Sequence, residues 1–404
     1  MRTLMRFLAA AVAAVVLAGC QPRPTGEWAG LIHPETLRKV GLQYYWHVPV
    51  LLERRETLVA LHQLDENVYC LTDRNRLLAI SAPTGVPKWS HRLAEAGEAV
   101  FRPAHADGVT LPDEVVGIGQ MLSSSPPAPV EPYDVVVINT LSSLLVLDRS
   151  DGRVIRQVPL VPAASSGGDT DGVEFFVPTA NGVYYGIALA EAVKTWSLSV
   201  EAGIAAPLEC FAGRLYVASR SGRVHAIRLG VSPEQQWSQR TNGPITAPFH
   251  VDPRGCFVGC HDKRIYAYDA YGGRRLWEPF ICRSPVQDPI QVGQTSLFQW
   301  VRHDQLYAID LATGRARWSM PEGRLVLAVM EGNVYLLDDR NHLRIVDEML
   351  GRPRSILPMT GFDLFAPNTR TQAIYTATKA GRVCCLRPLN AGHLTVEMLT
   401  GGAQ

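Results

Sequence analysis

A repeated three-residue spacing constrains the fold more than any other feature: an Asp or Ser, a Gly four residues later, and a Trp four residues after the Gly. The complete copies are Ser81–Gly85–Trp89, Asp269–Gly273–Trp277 and Asp310–Gly314–Trp318. Each follows four apolar residues that do not alternate with polar ones, a pattern typical of a β-strand covered on both faces. Glycine is the residue that closes a type I hairpin turn at positive φ without a Cβ clash. Each copy therefore predicts a strand, a glycine turn and a further strand.

The spacing recurs with a period near 40 residues. Weaker copies place Arg156, Trp196, Trp237 and Ser355 in the tryptophan position, and the positions from 156 to 355 step by 40, 41, 40, 41 and 37 residues. A period of about 40 residues with four strands per unit is typical of a β-propeller blade.

The first strand of the chain has no partner close to it in sequence. The aromatic segment 42–48 precedes the first full unit, which begins near Thr57, and the last unit supplies only segments 373–378 and 382–386. A closed ring accounts for both, because pairing the first strand with the last unit hides the edges of an open array. We expect an all-β, eight-bladed β-propeller of four-stranded antiparallel blades, closed by an N-terminal strand that joins the last blade.

The propeller is predicted to occupy residues 42–390, followed by a C-terminal tail at 391–404. In the second blade the inner strand is expected near 100–106 and the second strand at 133–139. This leaves an insertion at 107–132, whose second half is rich in Ser and Pro and is predicted to be mobile.

The first 41 residues are predicted to lie outside the propeller. Two arginines, an apolar run and the end Leu17–Ala18–Gly19 before Cys20 predict a signal peptide over 1–19, too short to span a bilayer. A cysteine in this place resembles the bacterial lipoprotein signal, which implies acyl chains, including palmitate, on Cys20. Residues 20–41 then form a lipidated tether with a short helix. The alternative is an ordinary secreted protein with a coincidental cysteine.

Charge gives no overall attraction to nucleic acid. The formal net charge is +1, and it becomes about −1 once Arg2 and Arg6 leave with the signal peptide. We therefore expect no nucleic-acid partner. A monomer is also expected. Most of the seven cysteines after Cys20 lie in apolar strands and are interpreted as small core residues.

The segments 265–277 and 306–318 resemble the pyrroloquinoline-quinone-like (PQQ-like) β-propeller repeats, with the pattern Leu/Val-Tyr-Ala-x-Asp-x-x-x-Gly-x-x-x-Trp. Within that family, the length, eight blades and Cys20 are most similar to the lipoprotein subunit of the outer-membrane β-barrel assembly machinery. The resemblance implies that the repeat tryptophans and glycines dock neighbouring blades. These residues are Trp46, Trp89, Trp196, Trp237, Trp277, Trp318, Gly85, Gly152, Gly273 and Gly314.

The resemblance favours a non-enzymatic, membrane-tethered scaffold that binds envelope or outer-membrane proteins, with no cofactor, metal or catalytic group. The alternative is a quinone- or small-ligand-binding propeller. In quinone-dependent dehydrogenases a disulfide between adjacent cysteines faces the cofactor, and Cys384–Cys385 invites that comparison. The pair lies where two apolar core residues are expected. Residues 168–172 resemble half of a calcium loop but lack its later ligands, so a solvated turn is the preferred interpretation.

The turns between second and third strands are expected to share one face of the ring, and they carry many cations. One hypothesis is a basic rim that docks an acidic partner or anionic head groups, and the alternative is that charged residues only blunt exposed hairpins. The residues assigned to the rim are Arg74, Arg76, Arg223, Lys263, Arg264, Arg340 and Arg382.

Overall fold

The computed structural model describes residue 28 and residues 30–109 and 133–400. They form eight four-stranded antiparallel sheets and two short helices, which confirms the predicted eight-bladed propeller. Cys20, the segment 1–19 and residues 110–132 of the insertion lie outside the described residues. Neither helix, α1 (Pro34–Lys39) nor α2 (Val396–Thr400), is long and apolar enough to cross a membrane.

The blades follow one another along the chain. After β1 (Leu42–Pro49), blade one holds β2 (Leu58–Leu64), β3 (Asn67–Thr72), β4 (Arg76–Ser81) and β5 (Pro87–Arg92). Blade two holds β6 (Ala104–Val109), β7 (Tyr133–Asn139), β8 (Ser143–Asp148) and β9 (Val154–Pro159). Blade three holds β10 (Asp169–Thr170), β11 (Glu174–Pro178), β12 (Val183–Ala188) and β13 (Lys194–Ser199). Blade four holds β14 (Glu209–Phe211), β15 (Arg214–Ala218), β16 (Arg223–Arg228) and β17 (Glu234–Arg240).

The second half of the ring has the same order. Blade five holds β18 (His250–Asp252), β19 (Gly255–Cys260), β20 (Arg264–Tyr268) and β21 (Phe280–Ile281). Blade six holds β22 (Gln291–Val292), β23 (Ser296–Trp300), β24 (Leu306–Asp310) and β25 (Ala316–Met320). Blade seven holds β26 (Gly323–Met330), β27 (Asn333–Asp338), β28 (His342–Asp347) and β29 (Pro353–Pro358). Blade eight holds β30 (Leu364–Ala366), β31 (Ile374–Ala377) and β32 (Arg382–Pro388), and takes β1 as its outer strand.

The ring closes as the sequence predicts. Strand β1 pairs antiparallel with β32, from Leu42 opposite Pro388 to Pro49 opposite Arg382, with a bulge between Tyr44 and Trp46. The sheet order β1-β32-β31-β30 places the first strand of the protein on the outside of its last blade. The N-terminal strand thereby covers an edge that would otherwise be unpaired.

The hydrophobic core is divided into eight clusters, one at each interface between neighbouring blades. The cluster at the seam between blades seven and eight contains Leu343 and Leu386, and the one between blades eight and one contains Tyr375 and Leu78. Each blade therefore packs on two neighbours, as in other repeat architectures. This explains how a chain of 404 residues folds without one oversized core.

Position within the blade determines the burial of each strand. Second and third strands lie between neighbouring blades, and all six residues of β3 and of β19 are buried. Fourth strands expose alternate residues, as in β5 and β13. The apolar runs without alternation are therefore strands covered on both faces, as predicted.

The inner strand of blade two differs from the expectation. It occupies Ala104–Val109 rather than 100–106. Val100, at the predicted start, forms only an isolated bridge to Thr140. Pro103 lies between them and has no N–H to donate to the ladder, which accounts for the later start.

Candidate functional site

The topology separates the loops onto two faces of the ring. Turns between second and third strands, and the links from each blade to the next, emerge on one face, here called the connection face. Turns between first and second and between third and fourth strands emerge on the other, here called the hairpin face. The cations assigned to the rim lie on or beside the connection face.

Four of these cations form ion pairs within the chain. Arg74 pairs with Glu53 at 2.6 Å, and Arg223 pairs with Glu201 at 3.2 Å. Arg264 is 3.6 Å from Asp262. Arg76 is held by the fourth carboxylate, Glu56. Carboxylates from the links between blades supply three of the four partners. The net positive charge of the rim is therefore lower than the number of cations in the turns indicates.

The Arg76–Glu56 pair is structural. The side chain of Glu56 is 0% exposed and that of Arg76 is 16% exposed, with 2.5 Å between their charged atoms. Burial acts to raise the pKa of Glu56, but hydrogen bonds from Arg76 and from the backbone of Glu53 outweigh it and lower the pKa to about 2. Arg76 also donates to the carbonyl of Leu51 at 2.7 Å. It holds the link between blades eight and one in place.

Two of the other three rim residues form no such pair. Lys263, at positive φ, and Arg340 form no ion pair with any of the described residues. The backbone N–H of Arg382 donates to Thr378 Oγ1 at 3.1 Å at the start of β32. At least four of the seven assigned residues therefore have their positive charge compensated within the chain.

A polar cavity of about 380 Å³ opens on the connection face where blade four leads into blade five. It is lined by Arg220 and Ser221 from the turn of blade four and by residues 240–244 of the link. Arg220 and Arg240 are both exposed, and neither has an acidic partner among the residues that the structure describes. Two free guanidiniums beside one concave surface can bind a carboxylate in two-point geometry.

Arg240 was not among the residues predicted from the sequence, because only turns within blades were considered there. It ends the fourth strand of blade four, so the link that follows it reaches the same face as the second-to-third turns. The four-strand period alone would have identified this position.

Five repeat tryptophans fill the gaps between blades. Each ring lies against the turn glycine of the next blade, and its Nε1 donates at 2.8–3.2 Å to the carbonyl three residues before that glycine. We call them the wedge tryptophans. They are Trp46, Trp89, Trp237, Trp277 and Trp318, and they face Gly85, Gly152, Gly273, Gly314 and Gly351 respectively.

Trp196 occupies the same strand position but makes different contacts. Its Nε1 donates to Glu174 Oε2 at 2.8 Å, and its ring packs on Phe176 and Tyr184, all within blade three. In the preceding blade Arg156 takes the tryptophan position, and the turn it would face carries Ala192 at φ 58° instead of glycine. Where the tryptophan is missing, the next turn lacks its glycine.

A second polar cluster lies near the axis of the ring, where the first strands of neighbouring blades contact one another. Asp169 Oδ2 accepts a hydrogen bond from the N–H of Cys210 at 2.6 Å, which links blades three and four. Burial raises the pKa of Glu209, and the nearby charge of Asp169 raises it further, while Arg102 and Arg370 oppose the shift. Both arginines are exposed and lack an ion pair within the described ranges.

Asp65, Glu66 and His105 come close enough to hold a metal ion, with candidate ligand atoms within 4.8 Å of one another. Their atoms are already engaged. His105 Nδ1 bonds Asp65 at 2.7 Å and Nε2 bonds the hydroxyl of Tyr69 at 2.8 Å, while Glu66 pairs with Arg149 at 3.3 Å. The group is a hydrogen-bond network that joins blades one and two.

Two sequence features have simple structural roles. In the segment that resembles half of a calcium loop, Asp171 Oδ1 accepts from the N–H groups of Val173 and Glu174 at 2.9 and 2.8 Å, as in a tight turn. Cys384 and Cys385 are free, buried thiols in β32. This is the third strand of blade eight, so it does not border the axis of the ring. They belong to the core clusters on opposite sides of blade eight.

Comparison with known proteins agrees with this architecture. A family model described as outer membrane protein assembly factor BamB matches residues 187–285 and 261–391, which together cover just over half of the chain. The crystal structure of BamB from Moraxella catarrhalis superimposes with a TM-score of 0.63 at 14% identity, covering 87% of this chain and 99% of that one.

The crystal structure of the computationally designed Ika8 protein superimposes with a TM-score of 0.62 at 12% identity, over 83% of this chain and 98% of that one. At such identities the structural matches show the fold alone. No curated protein sequence matched the chain. The family model establishes the relationship: the chain belongs to the family of PQQ-like β-propellers described as outer membrane protein assembly factor BamB.

Proposed function

We propose that this protein is a non-enzymatic scaffold that binds other proteins of the cell envelope through its connection face. The observation that carries the proposal is the cavity between blades four and five, where Arg220 and Arg240 are exposed and uncompensated. Arg223 and Arg264 are held by carboxylates, whereas the two guanidiniums that border this cavity are free of ion pairs with the described residues. Such a local charge favours an acidic segment of a partner.

The rigidity of the ring suits this task. The wedge tryptophans and the eight interface cores hold the blades, and the loops present a fixed surface. The family description supports an outer-membrane protein assembly factor as the class of scaffold. We also propose a location on the periplasmic side of the outer membrane, with partners that assemble outer-membrane proteins.

The anchor in this proposal is Cys20, which follows a short apolar run and Gly19. Acyl chains on this residue would tether the ring to a membrane leaflet through the segment 21–41. The connection face would then meet partners in the same membrane.

Affinity capture from solubilised envelopes tests the scaffold function. The wild-type chain should retain at least one envelope protein, and the double reversal Arg220→Glu with Arg240→Glu should reduce that protein at least tenfold. The matched control is the double reversal Arg274→Glu with Arg315→Glu, two exposed arginines on the hairpin face with no ion pair among the described residues. Equal capture by the wild-type chain and the Arg220/Arg240 variant would contradict the proposal.

A small-ligand function is the second candidate, because the cluster of Asp169, Glu209, Arg102 and Arg370 lies near the axis. Carboxyls and guanidiniums together can bind a polar, charged ligand. Absorbance spectra of the purified domain, alone and after incubation with pyrroloquinoline quinone and calcium, distinguish the two. A bound chromophore would favour the ligand function over the scaffold.

A further inference from the structure

The interface between blades seven and eight contains a cavity of about 330 Å³ that the other functional features do not use. Blade seven contributes Asn333, Tyr335, Ile345 and Ser355 to its walls. Residues 388–390 of blade eight and residues 40–41, which precede β1, complete them. We call it the seam cavity, because it lies where the two ends of the propeller meet. Exposed residues at its rim open it to solvent.

The strand register shows what this space corresponds to elsewhere. Ser355 lies opposite Ile345 in blade seven, as Trp318 lies opposite Ala308 in blade six and Trp237 lies opposite Ala226 in blade four. Ser355 therefore occupies the position of a wedge tryptophan. At the other interfaces with a wedge, the indole fills the gap between its own blade and the third-to-fourth turn of the next one.

Two features leave the gap open at the seam. Serine is too short to reach blade eight, and Ile345, at the position where blades four and six have alanine, lines the space that remains. Blade eight also has no third-to-fourth turn, because its fourth strand comes from the N-terminus. The segment Pro388 to Asn390 therefore borders the cavity where a closed hairpin would otherwise stand.

The lining combines buried apolar side chains with exposed charged ones. Tyr335 and Ile345 are buried, whereas Glu331 and Arg354 are exposed. An aromatic side chain with a polar edge, such as an indole, suits a lining of this kind.

We propose that the seam cavity binds the tryptophan side chain of a partner protein. The occupant comes from outside the chain, because all eight tryptophans of the chain lie among the described residues and none lines the cavity. Trp28, which precedes β1 in the chain, is stacked on Tyr44 with 5.0 Å between ring centroids. The proposal deepens the scaffold function and rests on it for the partner, but the affinity for indole can be measured independently.

The first experiment uses a small probe and a reporter inside the cavity. With isotope-labelled isoleucine methyl groups, N-acetyltryptophanamide should shift the Ile345 signal saturably, and N-acetylleucinamide should not. Ser355→Trp fills the cavity from within, so it should abolish the shift. Ser355→Ala, which leaves the cavity open, is the matched control and should retain it.

A short peptide with one central tryptophan then tests the protein source. It should displace N-acetyltryptophanamide at lower concentration than the free amide needs, and the same peptide with alanine should not displace it. If the wild-type Ile345 signal does not respond to N-acetyltryptophanamide, or responds equally in Ser355→Trp, the inference is wrong. Loss of partner capture in the Arg220/Arg240 double reversal would still be expected then, so the failures of the two proposals can be told apart.

Discussion

Gly273 lies against the ring of Trp237 in the preceding blade so closely that a Cβ at this position would be 2.6 Å from Trp237 Cγ. The repeat glycine therefore has two tasks. It takes φ +70° at the end of its own turn, and it leaves room for the tryptophan of its neighbour. The Gly–Trp spacing within one repeat therefore reflects a contact between consecutive repeats.

Replacement of Gly273 by alanine separates the two tasks when it is compared with Gly332→Ala. Gly332 has φ +69°, and a Cβ added there would have nothing within 4 Å. We expect Gly332→Ala to lower the free energy of unfolding by about 1 to 2 kcal/mol from backbone strain alone. Gly273→Ala should cost about 2 kcal/mol more, because the methyl group also displaces the indole. Urea unfolding measures both, and equal losses would mean that the ring does not confine the glycine.

The fold was predictable because the period of about 40 residues and the unpaired first strand both reflect backbone pairing. The glycine that each wedge tryptophan contacts could not be predicted. The spacing places Gly314 and Trp318 in one repeat, whereas the contacts join Trp277 to Gly314 and Trp318 to Gly351. The break at Arg156 and Ala192 was visible in the sequence. Its meaning required the blade-to-blade register.

The candidate site was less predictable than the fold. Turn residues gave the correct face for Arg74, Arg76 and Arg223, but not the carboxylates that approach them from the links between blades. Charge pairing depends on contacts between segments about 20 residues apart, and residue spacing does not encode side-chain direction. Arg240 and the seam cavity became visible only with the ring assembled.

Arg76→Met should be strongly destabilising, although Arg76 was assigned to the partner-binding rim. Removing its charge leaves the buried carboxylate of Glu56 unpaired, at an expected cost of about 3 kcal/mol. Arg74→Met removes an exposed pair and should cost less than about 1 kcal/mol. Thermal unfolding at neutral pH distinguishes the two variants.

The cost of Arg76→Met should also depend on pH. The pKa of Glu56 is lowered in the folded state, so the pair stabilises the protein above the ordinary carboxyl pKa and less as pH falls towards about 2. The difference in unfolding free energy between the wild type and Arg76→Met should therefore shrink in acid. A difference that does not vary with pH would contradict the assignment.

Glu209→Gln should stabilise the protein in mild alkali. Burial raises the pKa of Glu209 in the folded state, so the folded form binds its proton more tightly than the unfolded form does. The stability contributed by this group is present below the unfolded pKa and is lost as pH rises through the folded one. At about pH 8 we expect the free energy of unfolding of Glu209→Gln to exceed that of the wild type by about 1 kcal/mol. The difference is no larger because Glu209 is partly exposed and solvent screens part of the effect.

Chemical denaturation at about pH 4 and about pH 8 checks the Glu209 prediction, with Glu234→Gln as an exposed control. At about pH 4 the wild type and Glu209→Gln should have nearly equal free energies of unfolding. A constant gap at both values would show that Glu209 titrates as an ordinary carboxylate.

Cys20→Ala should abolish labelling of the protein by a palmitate analogue in growing cells and release the protein from the membrane fraction. The reason is that the thiol and the new amino terminus at Cys20 are the proposed acylation sites. Cys210→Ala is the control, since Cys210 lies in an inner strand of the propeller. Full labelling of the Cys20 variant would place the anchor elsewhere.

Site-specific photocrosslinking in intact envelopes tests the proposed binding face most directly. A photoreactive residue at Asn242, which lines the cavity beside Arg220 and Arg240, should form an adduct with an envelope protein. The same residue at Val86, exposed on the hairpin face, should not. The adduct at Asn242 should disappear when Arg220 and Arg240 are both changed to Glu. Adducts of equal yield from both positions, or none from Asn242, would contradict a partner-binding connection face.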